Sequence, residues 1–271
     1  MRFSARAGGL PRSAVGPAAI VIRSEREIEM MARAGAIVAS VLEAVRPVVV
    51  PGRTARELDA EIERRIRRAG AVPSFKGYQG FPAASCVSVN DQVVHGIPDG
   101  YRFQPGDLVS VDVGATLGGY VGDGAYTFGL EPLSPERQRL LAVTQKALNE
   151  GIASAQPGNR IGDISAAVQR RVEGAGFSVV RAYCGHGVGT TIHEEPQVPN
   201  YGEPGRGPRL RPGMVIAIEP MVNLGVYEVT VDANGWTVRT ADGGPSAHFE
   251  HTVAITASGP RILTVADSAG T

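Results

Sequence analysis

The sequence of 271 residues has little of several features that mark specialised classes of protein. It contains only two cysteines, Cys86 and Cys184, which excludes a disulfide framework and favours a reducing, cytoplasmic setting. Basic and acidic residues both number 27, so no net charge recruits nucleic acid or an acidic membrane surface. No apolar run reaches the roughly 18 residues that a membrane span requires. With 43% hydrophobic and 20% charged residues, the composition is typical of one large or two small globular domains.

The N-terminal stretch is basic and carries a short apolar run, a pattern that can imitate a signal peptide. Gly16, Pro17 and Arg23 interrupt this run too early for that function. We therefore interpret residues 1–18 as a flexible tail and residues 19–265 as a single domain.

Two segments of the chain recur at nearly constant offsets. Residues 105–112 (PGDLVSVD) match residues 212–219 (PGMVIAIE) at an offset of 107, and an acid ends both copies. Residues 51–70 match residues 157–176 at an offset of 106, with the same Pro-Gly start, Arg-Arg pair and Ala-Gly end. Two copies are too few for a solenoid, so the repeat predicts one duplicated domain. Its halves are about residues 24–130 and 134–256.

Helix and strand signals follow the same plan in both halves. Capping boxes that begin at Ser24 and Thr54 predict two helices, and Ser134 followed by proline predicts a third. In the second half, strands are expected over Phe177–Cys184 and Ala247–Thr256, and Asn234-Gly235 predicts a hairpin turn with Trp236 on the return strand.

The strongest local pattern is a β-hairpin over residues 105–128 that carries two aspartates. Gly118-Gly119 predicts a two-residue turn between alternating strands. If the residues that flank this turn pair, Asp112 and Asp123 become diagonal neighbours on one face of the sheet. Two buried carboxylates at such range raise each other's pKa, which is costly unless a cation neutralises them.

All five histidines lie within or beside the segments that hold Asp112, Asp123, Glu219 and Glu250. They are His95, His186, His193, His248 and His251. A single histidine near an acid is usually structural, but five of five favours a metal site. Four carboxylates with imidazole, and no thiolate-rich set, suit two divalent cations such as Mn, Fe, Co or Zn. Two such ions would also balance the four carboxylates in charge.

Five segments resemble, in order and spacing, the signature segments of type I methionine aminopeptidases. They are VVHGIP, SVDVGATLGGYVGDGAYTF, GHGVGTTIHEEPQV, GMVIAIEPM and AHFEHTVAIT. The similarity covers about residues 20–260, nearly the whole chain. It implies that family's α/β (α+β) pita-bread fold, in which two pseudo-symmetric halves form a curved antiparallel sheet covered by helices. It also implies a metallo-aminopeptidase that removes the initiator methionine from nascent proteins when the second residue is small.

The resemblance implies how the two divalent ions are held. Asp112 would chelate one ion, while His186 and Glu219 would bind the other. Asp123 and Glu250 would bridge the two. The free α-amine of the substrate would bind beside the ion held by Asp112, which explains a restriction to N-termini.

The resemblance also implies three catalytic residues and a pocket. Glu219 would handle the proton of the attacking water, His193 would donate to the scissile carbonyl, and His95 would contact the substrate amide and help to protonate the leaving amine. An aromatic pocket suits the soft thioether of methionine. Its lining would be Phe75, Tyr78, Phe81, Cys86, Ile192 and Trp236, with His95 and His193 as further substrate contacts.

Two histidines need separate interpretation. His248 shares a strand face with Glu250 and stands where the family more usually has glutamine, a departure that alters metal affinity or pocket shape. His251 alternates away from Glu250, so we interpret it as structural. The family also implies N-termini of nascent polypeptides, met near the ribosome, as partners. We expect a monomer, because no unpaired amphipathic helix stands out as a dimer surface. The chain lacks the cysteine-rich N-terminal extension of larger relatives, so docking through such a module is not expected.

Two other functions remain open. A proline-directed aminopeptidase or dipeptidase of the same fold would normally carry an added N-terminal domain, and fewer than about 25 residues precede the first helix here. A non-catalytic pita-bread protein that binds peptides would tend to lose metal ligands, whereas this sequence has all five.

Overall fold

A computed structural model describes residues 19–266, and the tail predicted at residues 1–18 lies outside this range. The helices within it are α1 Glu25–Val45, α2 Ala55–Arg68, α3 Pro135–Ser154 and α4 Ile161–Glu173. The strands are β1 Val72–Pro73, β2 Ser85–Val89, β3 Gln92–Val94, β4 Leu108–Leu117, β5 Tyr120–Gly129, β6 Ser178–Val179, β7 Gly185–Gly187, β8 Glu194–Val198, β9 Val215–Ile218, β10 Met221–Asn223, β11 Val229–Val231, β12 Val238–Thr240, β13 Ser246–His248, β14 Glu250–Thr256 and β15 Gly259–Ile262. Short 3-10 turns lie at Arg46–Val48 and Tyr78–Gly80.

The helix starts are set by the local sequence, as predicted. The side chains of Ser24, Thr54 and Ser134 each accept a hydrogen bond from a backbone N–H three residues further on. At Ser24 and Thr54 a glutamate carboxylate also accepts from the cap's own N–H, which completes both capping boxes. No helix between residues 19 and 266 combines the length and hydropathy needed to cross a membrane.

One curved sheet of nine strands joins the two halves within the described range. Its order is β1-β4-β5-β14-β9-β7-β8, with β2 added beside β4 and β15 beside β14. The pairs are antiparallel, and β5 of the first half meets β14 of the second at the centre. Helices α1 and α2 pack on the first half and α3 and α4 on the second. The predicted fold, a curved antiparallel sheet with two halves covered by helices, is confirmed. The assignment of residues 19–265 to a single domain stays a prediction.

The hairpin of β4 and β5 has the predicted register. Leu117 pairs with Tyr120, and Asp112 lies opposite Ala125. Gly118 and Gly119 have φ values of 57° and 85°, so the turn uses the left-handed backbone that glycine tolerates best. Helix α1 packs closely on β5, since a Cβ built on Gly122 would lie 2.5 Å from the backbone nitrogen of Gly35.

Three predictions for the second half are wrong in detail. The strand expected over Phe177–Cys184 is limited to β6, because the chain pairs briefly with β10 and then bends towards β7. The strand expected over Ala247–Thr256 is divided at Phe249, because β13 pairs with β10 whereas β14 pairs with β5 and β9. Trp236 lies in the turn before β12 rather than on the return strand.

Candidate metal centre and peptide site

Strand register places three of the predicted acids on one face of the sheet. Asp112 and Glu250 both lie opposite Ala125, one on each side of β5. Asp123 stands two residues before Ala125 on the same strand. Residues directly opposite one another, and residues two apart on a strand, point to the same face. The three carboxylates therefore converge at the centre of the sheet.

Glu219 and His186 join this group from the second half. Glu219 follows β9 directly, and one further step of the β9/β14 register sets it opposite Glu250. His186 Nε2 lies 3.4 Å from Glu219 Oε1 and 3.7 Å from Asp123 Oδ2. One potential ligand atom each from Asp123, His186 and Glu250 lie within 4.8 Å of one another.

The acids are held in an unfavourable electrostatic state that cations would relieve. Asp123 and Glu250 are each only 3% exposed. One buried oxygen on each of Asp112, Asp123 and Glu250 has no hydrogen-bond partner within residues 19–266. Burial raises the pKa of Asp123 to about 7, and burial with repulsion between the acids holds the pKa values of Asp112, Glu219 and Glu250 well above their usual range. Oxygen and imidazole donors in this arrangement fit divalent metal ions.

His186 is oriented as a neutral ligand. Its Nδ1 lies 3.0 Å from the backbone oxygen of Gly187. A carbonyl oxygen can only accept, so Nδ1 carries the proton and Nε2 keeps its lone pair towards the carboxylates. Burial lowers the pKa of His186 to about 3, which keeps the ring neutral at physiological pH.

His193 and His95 lie beside the group of acids. The ring of His193 is 4.3 Å from that of His186, and its Nδ1 is hydrogen bonded to Tyr78 Oη at 2.9 Å. His95 has a left-handed φ of 57° and packs edge-on against Tyr183, with ring centroids 5.5 Å apart. Burial lowers the pKa of His95 to about 4, and partial desolvation lowers that of His193. Both rings are therefore neutral at pH 7 and can donate a proton in a hydrogen bond.

The six residues predicted to line a methionine pocket belong to one apolar cluster. Phe75, Phe81, Cys86 and Ile192 are buried in it, and Tyr78 and Trp236 pack against it. The rings of Phe81 and Trp236 meet edge to face at 5.2 Å. Cys86 lies opposite Asp112 in the β2/β4 register, so this apolar cluster adjoins the acids.

His248 and His251 occupy different environments. His248 is 2% exposed, and its Nε2 lies 3.6 Å from Glu219 Oε2. The expected placement of His248 on the Glu250 face stays a prediction, and the structure adds this approach to Glu219. His251 Nδ1 is hydrogen bonded to Thr264 Oγ1 at 2.7 Å, away from the acids, in agreement with a structural role.

Sequence reasoning missed several residues that support the site. Thr252 Oγ1 donates to the backbone oxygen of Asp123 at 2.7 Å and accepts from its N–H at 3.1 Å, which ties β5 to β14. Thr252 lies two residues after Glu250, and this spacing predicts that both side chains point to the same face of the strand. Asn200 Nδ2 donates to the backbone oxygen of Glu219 at 3.0 Å, and Tyr183 packs on His95. Each of these two contacts joins residues that are far apart in the sequence, so no local sequence pattern predicts them.

The curved, duplicated sheet with buried acids and histidine at its centre defines a metallopeptidase of the pita-bread fold. The chain belongs to metallopeptidase family M24, whose profile matches residues 29–257. It is 51% identical over 245 residues to methionine aminopeptidase 1 of Bacillus subtilis, covering 90% of this chain and 99% of that relative. A crystal structure of methionine aminopeptidase from Thermotoga maritima has a TM-score of 0.90 and 47% identity, covering 91% of this chain and 100% of that one. The resemblance to type I methionine aminopeptidases is confirmed.

A prolidase from Pyrococcus furiosus has the same fold at a greater distance. Its TM-score is 0.75 at 24% identity, and the match covers 92% of this chain but 66% of the prolidase. This similarity shows the fold alone.

Proposed function

We propose that this protein removes the N-terminal methionine from newly made polypeptides whose second residue is small. The observation that carries the proposal is the convergence of buried acids and His186 on one sheet face, directly beside an apolar cluster with aromatic walls. The high identity to proteins named methionine aminopeptidase supports the same activity.

Two divalent ions, of Co, Mn, Fe or Zn, would be held by five residues. Asp112 would hold one ion, His186 and Glu219 would hold the other, and Asp123 and Glu250 would contact both. The neutral His186 ring and the unpartnered carboxylate oxygens support this set. When bound, such ions supply a water of lowered pKa and polarise a carbonyl group.

The protein's own residues move protons and orient the peptide. Glu219 takes the proton of the attacking water and returns it. Without metal, burial and the neighbouring Asp112 raise the pKa of this carboxyl group. His193 donates to the scissile carbonyl, and its bond to Tyr78 restricts the ring's rotation. His95 contacts the substrate amide and helps to protonate the leaving amine.

The methionine side chain enters the apolar cluster. Phe81 and Trp236 provide aromatic surface for an unbranched thioether, which makes favourable contacts with ring edges. Cys86 contributes a small apolar wall, because burial raises the pKa of its thiol far above neutrality and keeps it protonated.

The proposed substrates are nascent chains close to the ribosome, and the proposed setting is the cytoplasm. Two free cysteines agree with a reducing compartment. The protein acts as a monomer in this account, since one chain supplies all five metal ligands.

Hydrolysis of Met-Gly-Met-Met, compared with Gly-Pro peptides and Met-Arg-Met-Met, tests this function with several metals. We expect release of free methionine from the first peptide and little from the third. Preferential cleavage of the Gly-Pro peptides would identify a proline-directed peptidase instead. Peptide binding without cleavage, together with no bound divalent ion under anaerobic, metal-replete conditions, would identify a non-catalytic binder.

A further inference from the structure

The loop between β7 and β8 carries two residues of the proposed peptide site. Ile192 is 4% exposed within the apolar cluster, and His193 is bonded to Tyr78. The loop begins at Gly189, whose backbone oxygen accepts from the N–H of Val121 on β5 at 2.9 Å. Thr190 and Thr191 are exposed and lie outside the strands, and the backbone oxygen of Thr191 accepts from the N–H of Gly189 at 3.1 Å.

The side chain of Glu194, the first residue of β8, forms hydrogen bonds with the backbone of this loop. Its Oε1 accepts hydrogen bonds from the backbone N–H groups of Thr190 at 2.9 Å and Thr191 at 3.3 Å. The carboxylate therefore closes the turn that immediately precedes Ile192 and His193. A carboxylate that accepts backbone N–H groups in this way fixes the conformation of a short loop.

Arg23 holds that carboxylate from the other end of the sequence. Its Nη2 lies 2.6 to 2.7 Å from both oxygens of Glu194, across 171 residues of chain. The two side chains are only 8% and 13% exposed, so water screens this pair weakly. The guanidinium also passes directly against Gly189, where an added Cβ would collide with it.

The backbone of Arg23 is itself firmly placed. Its N–H donates to the backbone oxygen of Gly213 at 2.8 Å, and the next residue, Ser24, is the cap of helix α1. Helix α1 lies in direct contact with β5, since a Cβ on Gly122 would meet the backbone of Gly35 at 2.5 Å. Arg23 thus joins the loop to a rigid part of the fold.

We propose that Arg23 is a positioning residue for the peptide site: its guanidinium fixes Glu194, and Glu194 fixes the loop that presents Ile192 and His193. This inference rests on the proposed function, and it concerns substrate alignment rather than metal binding. Within residues 19–266, the hydrogen-bond and ion-pair partners of Arg23 are Glu194, Gly213 and Glu27. None of these three residues is a proposed metal ligand.

The test compares Arg23→Gln with Arg23→Lys and with a matched control, Arg261→Gln. Arg261 forms an ion pair with Glu29 on the exposed side of the same helix α1, far in sequence from the loop. Because a displacement of about 1 Å can cost on the order of 100-fold in rate, we expect kcat/KM for Met-Gly-Met-Met to fall about 10- to 100-fold in Arg23→Gln. Arg23→Lys should recover part of this loss, and Arg261→Gln should match the wild type.

Two readouts separate positioning from a general loss of folded protein. A smaller active fraction would lower the apparent kcat at unchanged KM, whereas a displaced Ile192 and His193 should raise KM as well as lower kcat. Hydrogen exchange of the Thr190 and Thr191 amides should accelerate in Arg23→Gln while exchange in β5 and β14 stays unchanged. The number of divalent ions bound should equal that of the wild type.

Wild-type kinetics within twofold, or unchanged exchange at Thr190 and Thr191, in Arg23→Gln would overturn the inference. If that variant does not fold, Glu194→Gln and Arg23→Lys are judged by the same two readouts, since both keep a hydrogen-bonding side chain at the site. A wild-type protein that releases no methionine would refute the proposed function instead, and the exchange measurement would still decide the role of Arg23.

Discussion

Asp112 and Asp123 are diagonal neighbours across one hairpin, because Asp112 lies opposite Ala125 and Asp123 lies opposite Gly114. Both carboxylates leave the sheet on the same side, and each has one buried oxygen without a hydrogen-bond partner in the described range of 19–266. The hairpin therefore brings two carboxyl groups together without the hydrogen-bond partners that would stabilise their charged forms. The duplicated half adds Glu219 and Glu250 to the same face, which completes a site that needs cations.

Replacing Asp123, which we propose as a ligand of both ions, should weaken metal binding while leaving the fold intact. We expect Asp123→Asn to lower the affinity for Mn(II) by at least about 10- to 100-fold, because it removes a charged oxygen from the centre of the group. Asp163→Asn, at the start of the remote helix α4, should bind like the wild type. Isothermal titration of chelator-treated protein measures both variants, and equal binding by Asp123→Asn would refute its role as a ligand.

The metal-free protein should become more stable as the pH falls from 8.5 to 6.5. Burial raises the pKa of Asp123 to about 7, and the other three acids of the site have pKa values well above their usual range. Such groups bind more protons when folded, so their ionisation costs stability as the pH rises through the folded pKa. Below about pH 6.5 histidines protonate in the unfolded chain, whereas buried His186, with a pKa of about 3, resists protonation, and this opposes the gain.

Thermal unfolding in the presence of a chelator measures this effect. A gain of about 1 kcal/mol would raise Tm by about 2 to 4 °C for a protein of this size. The rise should be smaller in Asp123→Asn, since one of the titrating groups is absent. A Tm that is flat or falls between pH 8.5 and 6.5 would contradict the electrostatic account.

The hydroxyl of Tyr78 should matter for catalysis through His193. Losing the hydrogen bond between them frees the imidazole ring, so Tyr78→Phe should lower kcat/KM about 2- to 12-fold, the equivalent of ~0.5 to 1.5 kcal/mol. His193→Ala removes the donor itself and should cost about 100- to 1000-fold in kcat. The control is Tyr227→Phe, because the ring of Tyr227 packs beneath Arg181. This variant should show no change in kcat/KM. Full activity of His193→Ala would exclude it as the carbonyl donor.

Adding one methyl group between helix α1 and β5 should destabilise the protein. A Cβ at Gly122 would lie 2.5 to 2.7 Å from backbone atoms of Gly35 and Ala34. Such overpacking typically costs about 1 to 3 kcal/mol, so Gly122→Ala should lower the free energy of unfolding by that amount. At Gly100 nothing lies within 4 Å of the added atom, and Gly100→Ala should be neutral. Denaturant unfolding curves that coincide for the two variants would show that α1 does not pack as described.

Features set by neighbouring residues could be predicted from the sequence. The hairpin register follows from the turn at Gly118-Gly119, because a two-residue loop fixes which residues pair. The capping boxes at Ser24 and Thr54 depend on residues only three apart. Internal repetition then relates the two halves without any knowledge of their contacts.

Features set by long-range partners could not be predicted. Periodicity cannot reveal that the chain leaves one sheet for another at Phe249, nor that His248 lies beside Glu219. The ion pair between Arg23 and Glu194 joins residues that share no local pattern. Tertiary packing therefore decides which residues support the site, whereas the hairpin pattern alone places Asp112 and Asp123 on one face.

The metal dependence of the activity is measured as methionine release from Met-Gly-Met-Met while Mn(II) is added to chelator-treated protein. We expect no release before the metal is added, and activity that rises with bound ion up to about two equivalents. Asp112→Asn should release no methionine at any Mn(II) concentration that saturates the wild type. Full release by the chelated protein, or by Asp112→Asn, would refute a metal-dependent peptidase with Asp112 as a ligand.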